Sequence, residues 1–461
     1  MISQQMAEFA QNLKLENVPA GVVERAKYLM LDAIGIGYAS GRHAFADKAI
    51  ASLADLGPGE HRLIGQAATG SLRDAMLVNG VLVHGLDFDD THTAGVIHAT
   101  ASALPCVLGL GEKCGSSTRD MLEAYVLAME VSTRLGSVAR GAFHAAGFHP
   151  TGVIGLFGCT LAAGRLLGLS VEAMQMAQGI ALSMASGSLE FLEDGAWTKR
   201  LHPGWAAGAA TTAAILAKNG FVGPKAAYEG RYGLFNIYLG GERDKAELGL
   251  ATDGLGAEWE IEGVAVKPLP ACHFTHAAAD AAAIIHREHA PDIDAIERVQ
   301  VKVPAGVVNV VCEPVANKQH PQNSYDAQFS IPYTVASGLI TGDFQLRDLE
   351  DDALADSARL ALAERVEYEI DPDADFPRFY SGEVIVHMAD GSTLTHREEI
   401  NRGNRERPLT NDEITAKYRK NMAEVTDSAT ADAVLADVIA MDQTDRDVRA
   451  LAATLANARK A

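Results

Sequence analysis

The stretch Glu260-Ile261-Glu262-Gly263-Val264-Ala265-Val266-Lys267-Pro268-Leu269-Pro270 marks the point where the texture of the chain changes. Upstream of it, apolar residues recur at three- and four-residue spacing, the period of a core-facing helix. Val22, Val23, Ala26, Leu29, Met30, Ala33 and Ile34 set that pattern behind Pro19, a residue suited to a first helical turn. The pattern returns at 73–85, 119–136, 151–167, 172–191 and 203–219, with Gly and Ala crowding several segments, as close helix packing requires. Downstream, a helix near 275–288 precedes the alternating run Val299, Val301, Val303, the period of a half-buried strand. Helices near 325–340 and 351–363 follow, then a strand near 364–369 and a hairpin on Asp390-Gly391 between 383–388 and 393–397. Residues 401–408 read as a polar linker, after which Asn411 is the expected N-cap of a helix to about 423, with further helices over 431–440 and 445–458.

The fold expected from this pattern is mainly α with an α+β insert. A helical domain of 1–264 is interrupted by an α+β lid of 265–402 and completed by a helical return over 403–461, and a cleft between such parts is a common place for a ligand. The 461 residues are 48% apolar and 21% charged, enough to bury a large core. A formal charge of -21 repels nucleic acid and anionic lipid and offers no long-range pull on an anionic substrate, so a polyacid would need a local basic pocket. The five cysteines form no CxxC pair, which argues against a disulfide or zinc framework and fits a reducing cytoplasm. Neither a signal peptide nor a membrane span is legible; the apolar stretch 28–38 is short and carries Asp32.

Four polar clusters could carry chemistry. The densest is His84-Gly85-Leu86-Asp87-Phe88-Asp89-Asp90-Thr91-His92 with His98 beyond it, costly to bury without a purpose but also readable as a helix end and a solvated loop. A divalent ion would suit these side chains, although no HxH, HExxH or DxDxDG spacing is present. In Gly147-Phe148-His149-Pro150-Thr151-Gly152 the histidine stands at the mouth of a helix, where an anion is favoured. Trp197-Thr198-Lys199-Arg200-Leu201-His202-Pro203-Gly204-Trp205 sets two cations and an imidazole before another helix, where ordinary surface ion pairs are the bland alternative. Lys267-Pro268-Leu269-Pro270-Ala271-Cys272-His273-Phe274-Thr275-His276 opens the insert. A weaker element is Phe329-Ser330-Ile331-Pro332-Tyr333, whose phenol could reach a ligand or simply pack.

In this order and spacing, DFDDTH with its following histidine, GFHPTG, TKRLHPGWAA, KPLPACHFTH and FSIPY resemble the MmgE/PrpD family over nearly the whole chain. The resemblance implies a split helical body with an inserted lid, a homodimer, and one of several activities: 2-methylcitrate dehydratase, itaconate-forming cis-aconitate decarboxylase or iminodisuccinate epimerase. It further implies catalytic or binding roles for Asp87, Thr91, His98, His149, Lys199, Lys267 and Tyr333. Two departures stand out: the decarboxylase histidine of the 267–276 segment falls on Cys272, with His273 one place later, and the loop from Thr91 to His98 is one residue longer. Both turn the expectation from decarboxylation toward a dehydratase or an epimerase.

Removing a proton alpha to a carboxylate requires a base and fixed positive charge where the electrons accumulate. The expected roles are proton transfer by His98 and His149, orientation by Asp87, and a cationic clamp of Lys199, Arg200 and Lys267, with Thr91, His273 and Tyr333 on the substrate. No cofactor is expected: there is no nicotinamide fingerprint, no pyridoxal phosphate lysine motif and little cysteine support for an iron–sulfur cluster. The competing classes are a metal-dependent hydrolase centred on Asp87, Asp89, Asp90 and His92, and a polyacid-binding protein without turnover.

Overall fold

The computed structural model describes residues 1–456 and is mainly helical, with one four-stranded sheet and two two-stranded ones. Its internal packing divides the chain into two compact units, Met1–Val266 with Thr410–Ala461, and Lys267–Leu409. The fold class read from the sequence is therefore the one observed.

The first unit is built from long helices whose small residues allow close approach. Leu72–His84 and Thr198–Lys218 meet backbone to backbone: a methyl group on Gly80 would lie 2.3 Å from the Cα of Gly204. Ala99–Cys114, Thr118–Val138 and Pro150–Leu166 pack beside them, and Ala20–Ser40 is buried along most of its length. From the far end of the sequence, Asn411–Ala423 packs on Ala20–Ser40, with the Tyr418 ring against Gly35. Its N-cap is Thr410 rather than the expected Asn411: the hydroxyl accepts from Glu413 N at 3.2 Å while the Glu413 carboxylate accepts from Thr410 N at 2.8 Å, a capping box. The last described helix is Val448–Leu455; positions 457 and 458 of the expected 445–458 helix, and the end of the expected 403–461 return, lie outside the described residues.

Two helices of this unit differ from expectation in ways that matter for the site. The 172–191 segment stops being helical at Leu182, and the chain turns through Gly187 at φ +146°, a conformation that glycine tolerates, so that the Gly187 carbonyl accepts from His149 N at 2.9 Å. The helix expected from 203 starts at Thr198 and carries Pro203 inside it, which places Lys199 and Arg200 on its first turn rather than in a preceding loop.

In the second unit the mixed sheet runs in the order Val366–Ile370, Ile296–Val303, Gly382–Met388, Thr393–Glu398, the first pair parallel and the others antiparallel. Val299, Val301 and Val303 point into the core, as their alternation predicts. His276–His289 packs on this sheet and against Ile331–Thr341. The single helix expected over 325–340 is broken into Ser324–Gln328 and Ile331–Thr341, because Pro332 has no N–H to continue the ladder and Ser330 caps the second piece by accepting from Tyr333 N. The 351–363 helix is likewise split, with Asp356 capping Ser357–Ala363.

Candidate active site

The Leu72–His84 helix ends on a histidine, and the chain then passes through Asp87 at φ +50°, a left-handed conformation that aspartate accepts more readily than most residues. Every residue from His84 to His92 is buried, so the solvated-loop reading of this segment does not hold. His84 Nδ1 lies 2.8 Å from Asp89 Oδ2, and both side chains are fully shielded from solvent. Thr91–His92 pairs antiparallel with Val264–Ala265, and His92 Nε2 lies 3.0 Å from Glu260, so His92 is occupied away from the other imidazoles.

His98 and His149 are the N-cap residues of Ala99–Cys114 and Pro150–Leu166, so each stands at the positive end of a helix. His98 Nδ1 is 2.7 Å from the Asp90 carbonyl and 3.3 Å from Thr91 Oγ1, and its backbone N–H donates to Thr151 Oγ1. His149 Nδ1 faces His202 Nδ1 at 3.0 Å. The His84 and His98 ring centres are 4.8 Å apart, those of His84 and His149 5.6 Å, and those of His98 and His149 6.1 Å. Burial, reinforced by His84 and Lys199, holds His149 well below the ordinary imidazole range. Burial also brings His202 and His144 down to about 4. These imidazoles are neutral at physiological pH and able to accept a proton.

Fixed positive charge adjoins this group. Lys199 Nζ donates to Asp87 Oδ1 at 2.8 Å, and Arg200 Nε donates to the Gly85 carbonyl at 2.7 Å with its guanidinium 4.5 Å from the Phe45 ring centre. Asp90, buried beside Asp89, is pushed up to about 7. One nitrogen from each of His84, His98 and His149 lies within 4.8 Å of the others, and oxygens of Asp87 and Asp89 form a similar group with a nitrogen of His98.

Six of the residues singled out in the sequence thus come together in the first unit: Asp87, Thr91, His98, His149, Lys199 and Arg200. The other three belong to the second unit. Lys267 is buried. His273 Nε2 lies 2.8 Å from Asn401 Nδ2, with the His276 ring 4.8 Å and the Tyr380 ring 5.5 Å away. Tyr333 is fully buried in a core cluster with Leu269 and Phe344; its hydroxyl donates to the Asp348 carbonyl at 2.7 Å and accepts from Arg359 at 3.0 Å, so packing accounts for it. The sequence reading quoted His84 and His202 within their polar clusters but carried neither into the expected site. The available signal was a histidine closing an apolar helix five residues before Asp89, and a second histidine one turn beyond Lys199.

Buried imidazoles, an ammonium and a guanidinium thus share one region of the first unit. Comparison with known proteins shows the family. Residues 4–247 match the MmgE/PrpD N-terminal domain and residues 269–441 the MmgE/PrpD C-terminal domain, so the chain belongs to the MmgE/PrpD family, as its five motifs imply. It is similar to the cis-aconitate decarboxylase-like protein oryM of Aspergillus oryzae, 27% identical over 98% of this chain and 97% of that one. The human cis-aconitate decarboxylase is 28% identical over 92% of this chain and 88% of its own. The 2-methylcitrate dehydratase of Salmonella typhimurium is 24% identical over 80% of this chain and 79% of its own. Among the described residues no helix is long and apolar enough to cross a membrane.

Proposed function

We propose that the chain is a lyase that removes a proton alpha to a carboxylate of a small tricarboxylate, without a cofactor. The observation that carries this reading is the approach of His98 and His149, with ring centres 6.1 Å apart, beside the Lys199–Asp87 pair. A pair of imidazoles at that separation suits removal of a proton at one carbon by one ring and delivery of a proton by the other, in its protonated form, to a group leaving the next. Lys199, Arg200 and Lys267 are assigned to the substrate carboxylates, where they offset the charge that grows on the oxygens. Thr91 and His273 are assigned hydrogen bonds to the substrate, and Asp87 the orientation of Lys199. Tyr333 was expected among these contacts, and we assign it to packing instead.

Loss of hydroxide from such an intermediate makes the enzyme a hydro-lyase of the 2-methylcitrate dehydratase kind, the outcome favoured by Cys272 and by the longer loop before His98. Decarboxylation is the second reading, favoured by the cis-aconitate decarboxylases among the relatives. Return of the proton to the opposite face would give an epimerase. Proton NMR of the chelator-treated enzyme in deuterated water, with 2-methylcitrate, citrate, cis-aconitate and iminodisuccinate, separates the three. An alkene signal without carbon dioxide marks dehydration, carbon dioxide release marks decarboxylation, and deuterium incorporation without net product marks epimerisation. Absence of all three across the panel would overturn the reading.

A homodimer is the proposed assembly. Trp197, Leu201 and Trp205 recur every four residues on one face of the Thr198–Lys218 helix and its cap, and are 49%, 41% and 47% exposed. Cytoplasmic residence is proposed from the five free cysteines.

A further inference from the structure

We propose that His84, His98 and His149 form a binding site for a zinc ion that blocks the enzyme when occupied. The binding half stands on the geometry alone, and the blocking half rests on the function proposed above. One nitrogen from each ring lies within 4.8 Å of the others. Tetrahedral zinc with Zn–N bonds of about 2.0–2.1 Å holds its ligand nitrogens about 3.3 Å apart, so binding draws the set together by up to about 1.5 Å.

The protein holds the second nitrogen of each ring. His84 Nδ1 is fixed at 2.8 Å by Asp89, His98 Nδ1 at 2.7 Å by the Asp90 carbonyl, and His149 Nδ1 at 3.0 Å by His202. A carbonyl oxygen only accepts, so His98 Nδ1 carries the proton and the lone pair resides on Nε2. The carboxylate of Asp89 imposes the same tautomer on His84. Outer partners of this kind fix ring orientation and raise ligand basicity in metal–histidine sites. His84 supplies an independent sign: it is 1% exposed, and its Nε2 is buried with no hydrogen-bond partner. With Nδ1 turned to Asp89, Nε2 is the nitrogen left to serve as a ligand.

The donor chemistry selects the ion. Three imidazole nitrogens suit zinc or copper and not magnesium or calcium, which take oxygen ligands. Oxygens of Asp87 and Asp89 lie within 4.8 Å of a His98 nitrogen and offset the added positive charge. Three protein ligands leave a fourth position for water or a substrate carboxylate. Zinc bound there would hold the lone pairs through which His98 and His149 move protons.

Isothermal calorimetry of the chelator-stripped, full-length protein with zinc chloride tests the site. The expected result is one zinc per chain, with affinity lowered at least 10-fold by His84→Phe and about 10-fold or more by Asp89→Asn, and no heat with magnesium. His98→Gln serves as a second ligand variant if His84→Phe fails to fold. Affinity unchanged in His84→Phe or His98→Gln, or no zinc heat in the wild type, would overturn the site. Stoichiometric zinc should also stop deuterium exchange or turnover, with chelator restoring it; zinc bound at the site with exchange unaffected would overturn the blocking half. If no tricarboxylate reacts, the calorimetry still decides the site, and only the reading of function fails.

Discussion

Lys417 reaches across 385 positions of sequence to Asp32, its ammonium 2.9 Å from the carboxylate, while also donating to the Phe88 carbonyl at 2.8 Å and lying 3.8 Å above the centre of the Phe88 ring. The C-terminal return thereby holds the loop that carries Asp87, Asp89 and Asp90. Both members of the pair are buried. Lys417→Met should cost about 3–5 kcal/mol, because removing one partner leaves the other charge buried alone. Urea unfolding would measure this, and Asp32→Asn added to Lys417→Met should recover part of the loss. A Lys417→Met cost below about 0.5 kcal/mol would show that the pair does not hold the loop.

Lys199→Met should weaken binding of a competent tricarboxylate by roughly 10- to 100-fold, the worth of a charged hydrogen bond of about 1.5–3 kcal/mol. Calorimetric affinity of folded variants checks it. Unchanged affinity would remove Lys199 from the anion clamp.

His98→Gln should lower turnover by about 10²–10⁴-fold, the usual contribution of a positioned proton-transfer group. Its side chain is 12% exposed at a helix end, so the melting temperature should move by only a few degrees. Full activity in this variant would exclude His98 from proton transfer.

Asp90 gives a pH-dependent prediction. Its carboxyl, ordinarily near 3.8, is raised to about 7 by burial first and by Asp89 second. The folded state therefore keeps a proton that the unfolded chain has released, and the associated stability is fully present below about 3.8 and lost as pH rises through about 7. His202 and His144, lowered to about 4 by burial, act in the opposite sense, with stability present above 6.5 and lost as pH falls through about 4. Asp90→Asn isolates the first effect: its stability relative to wild type should climb between about pH 4 and pH 7 and level off above. A difference that stays flat in urea unfolding over this range would contradict the shift.

The Trp197–Trp205 face gives a test of assembly. Wild type should elute at twice the chain mass, and Trp197→Glu with Trp205→Glu should shift it toward one chain without lowering helical content by circular dichroism. A wild-type monomer, or a double variant that remains dimeric, would move the interface elsewhere.

Most helices were legible because a buried face imposes its period on the sequence, as in Val22 to Ile34, and the Asp390-Gly391 hairpin was legible because its turn chemistry is local. Several misread elements turn on single residues. Pro332 and Gly187 redirect the backbone at single residues inside windows whose average still reads as helical, while Pro203 sits inside a helix that local rules would start after it.

Periodicity by itself determined the mainly helical fold class, and motif order carried the resemblance that implied the family and, with Arg200 from its local basic cluster, the six side chains that meet in the first unit, since periodicity and motif order are properties of the chain itself. Tertiary structure alone decided that Asp89 holds His84 beside His98 and His149, that His202 adjoins His149, that Tyr333 belongs to the core, and that Lys417 holds Asp32 and the Phe88 peptide. Those facts depend on which helix faces meet, and helix contacts between residues tens to hundreds of positions apart leave no mark on local spacing.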